Sequence, residues 1–309
     1  FANAGQLCRY TARPWAGPSV PSMIVRKLGR TDAPYLIRFR ADPTMWRWLT
    51  RFLLNCRDTK YQATRSSLMR LSIHSANLME ELLDVVPLQF DHKSHGVLHL
   101  FRDQKAFDHA AEDNRRVMNT EERGEVLSPD HCIAAEPALA QSTSGFIGGI
   151  LHHHEQTGDA HRFTTHLATY LEDQGVIFRY GVNAQRLITE GDAVSGLATD
   201  NGPIEADAVV ISAANGSVQL LEPVYPSLPI YPVKGYSITV DTAGFNGAPT
   251  VGIQDHNCKI GFSRLGGRLR VAGTAEFGAS DNLPDRRRIE ALRTQARMLF
   301  PGAGDFETA

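Results

Sequence analysis

The chain has 309 residues, 42% of them hydrophobic and 21% charged, which suits a globular protein with one large or two medium domains. A formal net charge of -2 argues against nucleic acid as a partner. Four cysteines lie far apart without a CxxC pair, so reduced, intracellular thiols are expected. There is no visible signal peptide and no apolar run near the roughly 20 residues that span a bilayer, so any membrane contact is expected to be peripheral.

The first part of the chain predicts a loop followed by two helices. Residues 1–21 are rich in glycine, alanine and proline, which indicates an extended loop that exposes its backbone. Asp42 and Pro43 predict the start of an aromatic helix over 42–54. Its apolar stripe is interpreted as core, with a membrane-facing or acceptor-facing surface as the alternative. A helix over 60–83 is expected to bury Leu68, Leu71, Ile73, Leu78 and Leu82.

The next part predicts two strands and two helices. A strand over 96–101 precedes a polar helix that Asp103 caps and that runs to about residue 123. Ser128 and Pro129 have the residue types that start a short helix. A strand over 146–151 then ends in the run His152-His153-His154-Glu155. Because neighbours along a strand face opposite sides, at most two of these histidines converge, and no metal site is predicted.

A helix and a hairpin follow. Asp159 is expected to cap a helix over 159–174, which leads to a strand over 176–179. Two further strands, 185–189 and 193–199, flank a turn of hairpin type.

Residues 208–211, Ala-Val-Val-Ile, form a continuous apolar run bounded by small residues. Such a run is typical of a strand buried on both faces of a layered α/β sheet. The small-residue turn over 212–216 then lets backbone N–H groups approach a ligand, although an ordinary βα turn is the alternative.

After residue 221 the pattern changes to alternating strands separated by glycine, proline and asparagine. This pattern predicts a mostly antiparallel sheet with one face covered. A charged helix over 285–300 follows, with Arg286, Arg287 and Arg288 expected on a solvated face. The predicted strands cover residues 231–240, 249–254, 258–263 and 268–274.

Three stretches taken together resemble one family. FANAGQ at 1–6, EQTGDAHRFTTHL at 155–167 and YPVKGYSITV at 231–240 are similar, in order and spacing, to the D-amino acid oxidase-like family of FAD enzymes, and within it to the D-amino acid dehydrogenases. The resemblance implies an α/β plus α+β chain. In it, an incomplete Rossmann-like FAD-binding domain, 1–88 and 126–222, is interleaved with a substrate-binding domain, 89–125 and 223–309, built on a mostly antiparallel sheet.

Members of this family begin with a strand and a GxGxxG turn that binds the FAD pyrophosphate, and this sequence contains no such motif. They also continue beyond the point that matches Ala309. The chain is therefore expected to be the family's middle part, and a truncated, flavin-free, non-catalytic protein is kept as an alternative.

The resemblance also implies cofactor contacts. The first loop is expected at the flavin ring, Val182 at the adenine, and the 212–216 turn near the diphosphate and ribityl chain. Small residues permit close approach, and N–H donors stabilise the negative charge of a reduced ring; a frayed terminus is the alternative for the loop. The candidate contacts are Ala2, Asn3, Ala4, Gly5, Gln6, Val182, Ser212, Ala213, Ala214 and Gly216.

The implied activity is FAD-dependent oxidative deamination of small D-amino acids, with hydride transfer from Cα to flavin N5 and electrons passed to a quinone or other non-oxygen acceptor. A glycine or sarcosine type amine oxidase is the alternative. Tyr236, Lys234 and Arg264 are the candidate substrate-side residues, because a cation or phenol hydroxyl binds a carboxylate; a packing tyrosine, a turn lysine and a surface arginine are the competing interpretations. The expected location is the cytoplasm, with peripheral association at the inner face of the cytoplasmic membrane left open.

Overall fold

The structure is a computed structural model that describes residues 3–27, 35–117, 119–279 and 283–308. Ala2, one of the predicted flavin contacts, lies outside the described residues. Within the described part of the chain, no helix is both long enough and apolar enough to cross a membrane.

The helices and strands follow the chain in an order close to the predicted one. The helices are α1 Val20–Lys27, α2 Pro43–Asn55, α3 Asp58–Val85, α4 Gln104–Arg115, α5 Pro129–Ala135, α6 Ala160–Asp173, α7 Ser217–Leu221 and α8 Arg286–Leu299. The strands are β1 Gln6–Leu7, β2 Tyr35–Ile37, β3 Val97–Phe101, β4 Glu125–Leu127, β5 Gly148–His152, β6 Gln156–Thr157, β7 Ala184–Glu190, β8 Ala193–Thr199, β9 Gly202–Glu205, β10 Val233–Asp241, β11 Gly252–Asp255, β12 Ile260–Leu265 and β13 Arg268–Phe277.

The predicted helix starts are confirmed by side-chain caps. Asp42, Asp103, Ser128 and Asp159 each accept a hydrogen bond from a backbone N–H in the first turn of the helix they precede. Each such cap stabilises its helix by about 1 kcal/mol. The polar helix α4 ends at Arg115, earlier than the predicted residue 123.

Within the described residues, eight strands form one large sheet in the order β10-β13-β12-β11-β3-β5-β4, with β2 added beside β13. Only the β11–β3 and β13–β2 pairs are parallel, which confirms the mostly antiparallel sheet. The sheet takes β2 and β5 from the ranges assigned to the FAD-binding domain. The division into two interleaved domains stays a prediction.

One face of the large sheet carries the hydrophobic core. Ile253, Phe262 and Val271 point to this face and pack with Leu292 and Ala296 of α8, all of them at most 1% exposed. Burying a side chain of this size contributes about 1.5–3 kcal/mol. We call this the covered face. The opposite face, which carries His99, Gln254 and Gly261, is called the open face.

Two predicted strands are wrong. Residues 176–179 and 208–211 have no strand structure, and Ile177 is 81% and Val210 90% exposed. A strand buried on both faces needs hydrogen-bonded neighbours, and no described strand pairs with either segment.

The hairpin is confirmed: β7, β8 and β9 form a small separate sheet on which α7 packs.

The apolar stripe of α3 is not buried, contrary to the prediction. None of its residues is buried, and Leu71 is 63% exposed. Helical periodicity specifies which face is apolar but not what covers it. The stripe of α2 is only partly core, since Leu49 is buried whereas Trp46 is 46% exposed.

Arg288 corrects the prediction that all three arginines at the start of α8 are solvated. Its side chain is 2% exposed and its Nη2 donates to the Ala275 carbonyl at 3.2 Å, whereas Arg286 and Arg287 are exposed. Successive helix residues are rotated by about 100° around the helix axis, so Arg288 points to the sheet whereas Arg286 and Arg287 do not.

Candidate active site

The loop over residues 3–6 is held by one glycine. Gly5 has φ +69° and donates its N–H to Asn3 Oδ1 at 2.8 Å. Its carbonyl accepts the N–H of Gly158 at 2.8 Å. A Cβ at Gly5 would lie 3.0 Å from the Gly158 carbonyl oxygen. Only glycine combines this left-handed backbone with so close an approach.

The same loop lies on the open face of the large sheet. Gln6 Nε2 donates to the Ile253 carbonyl at 2.9 Å, and Gln6 pairs with Thr157 in the short β1–β6 ladder. A Cβ at Gly261 would lie 3.1 Å from the Cβ of Ala4. The predicted flavin contacts Ala4 and Gln6 are therefore seated over β11 and β12.

A cleft of about 250 Å³ opens beside this loop. We call it the histidine cleft, because three imidazoles line it. Its lining contains two cationic side chains, and none of the described residues that line it is acidic. The polar lining includes Gln6, Arg13, Asn114, His99, His152, Gln254, His256 and Lys259.

Strand register explains why the histidines converge. His99 on β3 lies opposite Gln254 on β11, so both point to the open face. The His99 and His152 ring centroids are 4.9 Å apart. His256, two residues beyond Gln254, stacks on Phe101 with ring centroids 4.6 Å apart.

The turn after β11 is fixed by Asp255. Its Oδ1 accepts the backbone N–H groups of Asn257 and Cys258, both at 2.9 Å, and its Oδ2 pairs with Arg102 at 2.5 Å. Lys259 then adopts φ +56° and its Nζ lies 3.3 Å from His256 Nε2. A buried carboxylate thus positions both His256 and Lys259 at the cleft.

The imidazoles are neutral at neutral pH. Burial lowers the pKa of His152 to about 4 and that of His256 to about 4, and lowers that of His99 well below its usual value. The charge of Arg13 adds to the lowered pKa of all three rings, and that of Lys259 to those of His99 and His256. The fixed positive charge of the cleft therefore comes from Arg13 and Lys259.

The four residues of the run His152-His153-His154-Glu155 lie in different environments. His152 lines the cleft, His153 Nε2 lies 3.0 Å from Glu125, and the His154 ring packs edge-on against Tyr10. The buried Glu155 carboxylate accepts the N–H groups of Arg9, Tyr10 and Thr11 at 2.8–3.1 Å. Within the described residues there is no group of three or more side chains placed to hold a metal ion.

The predicted substrate-side residues lie elsewhere. Tyr236 is buried in the core on the covered face, and its hydroxyl donates to the Glu276 carboxylate. Burial, reinforced by Glu276, raises the pKa of Tyr236 to about 12. Lys234 Nζ donates to the Leu283 carbonyl, and Arg264 pairs in register with the core residue Leu269. None of the three lines the histidine cleft, and their substrate-binding role stays a prediction.

The remaining predicted cofactor residues lie beside the small sheet. The neighbour of Val182, Asn183, donates its N–H to Asp200 at 2.9 Å. Ala214 has φ +48° at the start of a 3-10 turn that runs into α7, and the turn is exposed. Among the described residues no hydrogen bond joins this group to the loop over 3–6. The exposed turn residues are Ser212, Ala213, Ala214 and Gly216.

Sequence reasoning missed the cleft residues Arg13, His99 and His256. One signal was present, since β3 reads Val-Leu-His-Leu-Phe, with a titratable residue at the centre of an apolar strand. The convergence of His99 with His256 depends on a parallel pairing between strands more than 150 residues apart, which no local pattern encodes.

Comparison with known proteins defines the class. The family model described as FAD dependent oxidoreductase matches residues 1–309. A glycine oxidase from Bacillus cereus has the same fold, with a TM-score of 0.67 and 19% identity over 76% of this chain and 65% of that chain. The L-proline dehydrogenase from P. horikoshii has a TM-score of 0.62 and 17% identity, over 75% of this chain and 62% of that chain. The chain belongs to the FAD dependent oxidoreductase family, which confirms the resemblance, the fold class and FAD as the cofactor.

Two relatives found by sequence comparison are both named D-amino acid dehydrogenase. A D-amino acid dehydrogenase of Paramagnetospirillum magneticum is 40% identical over 310 residues, spanning all of this chain and 74% of the relative. A D-amino acid dehydrogenase of Bradyrhizobium diazoefficiens is also 40% identical and is covered to 73%. The chain is thus similar to D-amino acid dehydrogenases along its whole length.

Proposed function

We propose that this chain carries the substrate site of an FAD-dependent D-amino acid dehydrogenase. The proposed reaction oxidises a small D-amino acid to a 2-oxo acid and ammonia, with the electrons passed to a quinone or other non-oxygen acceptor. The observation that supports it best is the histidine cleft, which opens directly beside the loop over residues 3–6. The 40% identical relatives named D-amino acid dehydrogenase support the same activity.

The residues around the loop fit a flavin ring. Ser263 Oγ and Arg270 Nε are buried without a hydrogen-bond partner among the described residues. Both lie at the open face, and Arg270 Nη1 is 3.4 Å from the Asn3 carbonyl. Buried donors of this kind require an acceptor, and the polar edge of an isoalloxazine offers several.

The proposed cofactor contacts divide into two groups. Asn3, Ala4, Gly5 and Gln6 would hold the ring, with Gly5 allowing close backbone approach. The exposed turn over 212–216 and Val182 would hold the rest of the molecule. FAD, when bound, would supply the acceptor for the hydride that leaves the substrate Cα and that carries both electrons of the oxidation.

The cleft itself would bind the substrate and manage its protons. A cation such as Arg13 pairs with the carboxylate through charge-assisted hydrogen bonds. The substrate ammonium must lose a proton before Cα gives up its hydride, and a neutral imidazole accepts one. Water then adds to the imino acid and releases the 2-oxo acid and ammonia. Positioning Cα is the chief contribution of the protein.

The proposed acceptor is a quinone that the protein meets peripherally at the inner face of the cytoplasmic membrane. Support comes from the start of α2, where Trp46 stacks on Phe39 of the segment just before the helix, with ring centroids 5.5 Å apart, and both side chains are close to half exposed. Exposed arginines flank them at positions 40, 47 and 51. Exposed aromatic and basic side chains grouped at one helix are typical of surfaces that lie on anionic membranes.

The test uses the holoprotein under anaerobic conditions. We expect D-alanine, and not L-alanine, to bleach the visible flavin band, and a redox dye to be reduced without hydrogen peroxide when air is admitted. Peroxide release with glycine or sarcosine would assign the protein to the amine oxidases instead. A protein that binds no FAD would contradict the proposal altogether. Co-sedimentation with anionic vesicles, lost in Trp46→Ser and retained in Thr50→Ser, tests the membrane contact.

A further inference from the structure

His256 is held in one orientation by the segments around it. Its backbone N–H donates to the Leu100 carbonyl at 2.9 Å, and its ring stacks on Phe101 with an interplanar angle of 28°. The turn that follows is fixed as well, because Lys259 donates its backbone N–H to the Asp255 carbonyl at 2.9 Å. The imidazole of His256 and the ammonium of Lys259 are therefore placed relative to each other by hydrogen-bonded backbone.

The contact between these two side chains determines where the His256 ring carries its proton. Lys259 Nζ lies 3.3 Å from His256 Nε2. An ammonium only donates hydrogen bonds, so Nε2 is the acceptor, and the single N–H proton of the neutral ring is then on Nδ1. Lys259 makes further interactions as well, and they leave this one in place because an ammonium has several donors.

The Nδ1–H of His256 has no acceptor within the described part of the chain. The contact with Lys259 is the one side-chain hydrogen bond that His256 makes there, and the described residues that line the histidine cleft include no carboxylate. Arg13 lines the same cleft, and its charge contributes to the lowered pKa of His256. A neutral donor and a guanidinium at one cleft suit a carboxylate, because both of its oxygens accept hydrogen bonds.

We propose that His256 is a substrate-binding residue whose Nδ1–H donates to the carboxylate of the amino acid beside Arg13, with Lys259 as the positioning residue that fixes this tautomer. The inference rests on the proposed function, because it assigns a role within the same cleft. Lys259 already binds Nε2, the ring nitrogen of His256 that could accept a proton. Deprotonation of the substrate ammonium is therefore left to the other two imidazoles, His99 and His152.

The tautomer is measured directly by NMR on the FAD-bound protein with isotope-labelled histidine. Nitrogen shifts distinguish a protonated from an unprotonated ring nitrogen, and His256→Gln identifies the signals. We expect the His256 ring to have a protonated Nδ1 and an unprotonated Nε2 at neutral pH. In Lys259→Met the ring should exchange between both tautomers, whereas Lys105→Met, at an exposed position on α4, should keep the wild-type spectrum. A proton on Nε2 in the wild type would overturn the proposal.

Carboxylate binding is followed in the same spectra without turnover. The probe is propionate, which is D-alanine without its amino group, and the control ligand is propionamide, which is uncharged. We expect propionate to shift the Nδ1 signal of His256 in a saturable manner and propionamide to leave it unchanged. Equal effects of the two ligands, or no effect of either, would argue against a carboxylate at this nitrogen and overturn the proposal.

A matched pair of substitutions tests the donor in the reaction. In His256→Asn the side-chain amide nitrogen is as many bonds from Cβ as Nδ1 is, and in His256→Gln it is as many bonds from Cβ as Nε2 is. With D-alanine in a dye-linked assay, we expect His256→Gln to raise KM about fivefold at little change in kcat, the effect of one lost hydrogen bond. His256→Asn should keep KM close to the wild-type value. Equal KM values in the two variants would contradict the donor role.

The outcomes separate the two proposals. Oxidation of D-alanine by a protein whose His256 is protonated on Nε2 would overturn the tautomer and leave the proposed function standing. A propionate-specific shift of Nδ1 in a holoprotein that oxidises none of the D-amino acids would support the carboxylate donor and contradict the dehydrogenase. A proton on Nε2 together with no oxidation would contradict both.

Discussion

The Glu155 carboxylate accepts the backbone N–H of Tyr10 across 2.8 Å, and through it the N-terminal segment is tied to the turn between β5 and β6. Glu155→Gln replaces an oxygen acceptor by an amide donor facing N–H groups. Hydrogen bonds to charged groups contribute about 1.5–3 kcal/mol each, so we expect the free energy of unfolding to fall by about 2 kcal/mol, measured by urea denaturation. Glu125→Gln, at an exposed position, should change it by less than about 0.5 kcal/mol; equal losses would contradict this role.

Gly5→Ala should weaken both stability and FAD binding. Alanine at φ +69° costs roughly 1–2 kcal/mol, and the added Cβ would press on the Gly158 carbonyl at 3.0 Å. Gly191→Ala in the β7–β8 turn is the matched control, because its φ is +60° but nothing lies within 4 Å of its Cβ. Urea denaturation and the flavin content of the purified protein measure the difference. If both variants behave alike, the close approach at Gly5 does not matter.

His152→Asn should lower kcat/KM for the best D-amino acid by about tenfold or more, because general acid–base groups contribute about 10²–10⁴-fold and His152 shares the cleft with two further imidazoles. The control is its neighbour His153→Asn, which points away and contacts Glu125. We expect that variant to stay close to the wild type. A comparable loss in both would indicate disruption of β5 rather than a role at the cleft.

The stability of the protein should fall in acid because of the cleft histidines. Burial, aided by Arg13, lowers the pKa of His152 to about 4 from 6.5, and burial with Lys259 and Arg13 does the same for His256. The unfolded chain therefore binds these protons at a higher pH than the folded chain does. Their contribution is complete above pH 6.5 and is lost as the pH falls through about 4.

Thermal unfolding across this window provides the measurement. The double variant His152→Gln, His256→Gln should show a smaller decrease in Tm between neutral pH and about pH 4 than the wild type. His74→Gln, an exposed position on α3, should retain the full decrease. Parallel curves for the double variant and the wild type would contradict the prediction.

Tyr236→Phe separates a structural from a substrate-binding role. The phenol donates to Glu276, which also accepts from Arg38. Leaving a buried carboxylate with one donor fewer costs about 1–3 kcal/mol, so we expect a lower free energy of unfolding with an unchanged KM. A large rise in KM at unchanged stability would instead support the role inferred from the sequence resemblance.

Local signals predicted local structure well. Asp42, Asp103, Ser128 and Asp159 cap helices because a cap depends on the residue and the few that follow it. The strand predicted at 208–211 is wrong because an apolar run indicates burial without specifying a neighbour, and none of the described strands pairs with it. The prediction that Arg288 is solvated is wrong for a similar reason, because the exposure of its side chain depends on the sheet beneath α8.

At the candidate site, too, local features could be predicted from the sequence and long-range ones could not. The resemblance to the family predicts the small residues of the first loop as flavin contacts, and in the structure Ala4 and Gln6 lie on the open face. The cleft beside them depends on the parallel register of β3 and β11, which joins His99 to Gln254. A single sequence contains nothing that indicates which of two such distant segments pair, or in which register.

The apolar segments that lack a sheet partner affect how the purified chain should behave in solution. Ile177, Tyr180 and Val210 are 81%, 72% and 90% exposed, on segments rich in apolar and β-branched residues. Exposed segments of this kind pair with copies of themselves and favour aggregation. The chain at high concentration should therefore self-associate through these segments, and charged residues at 177 and 210 should raise its solubility without touching the histidine cleft.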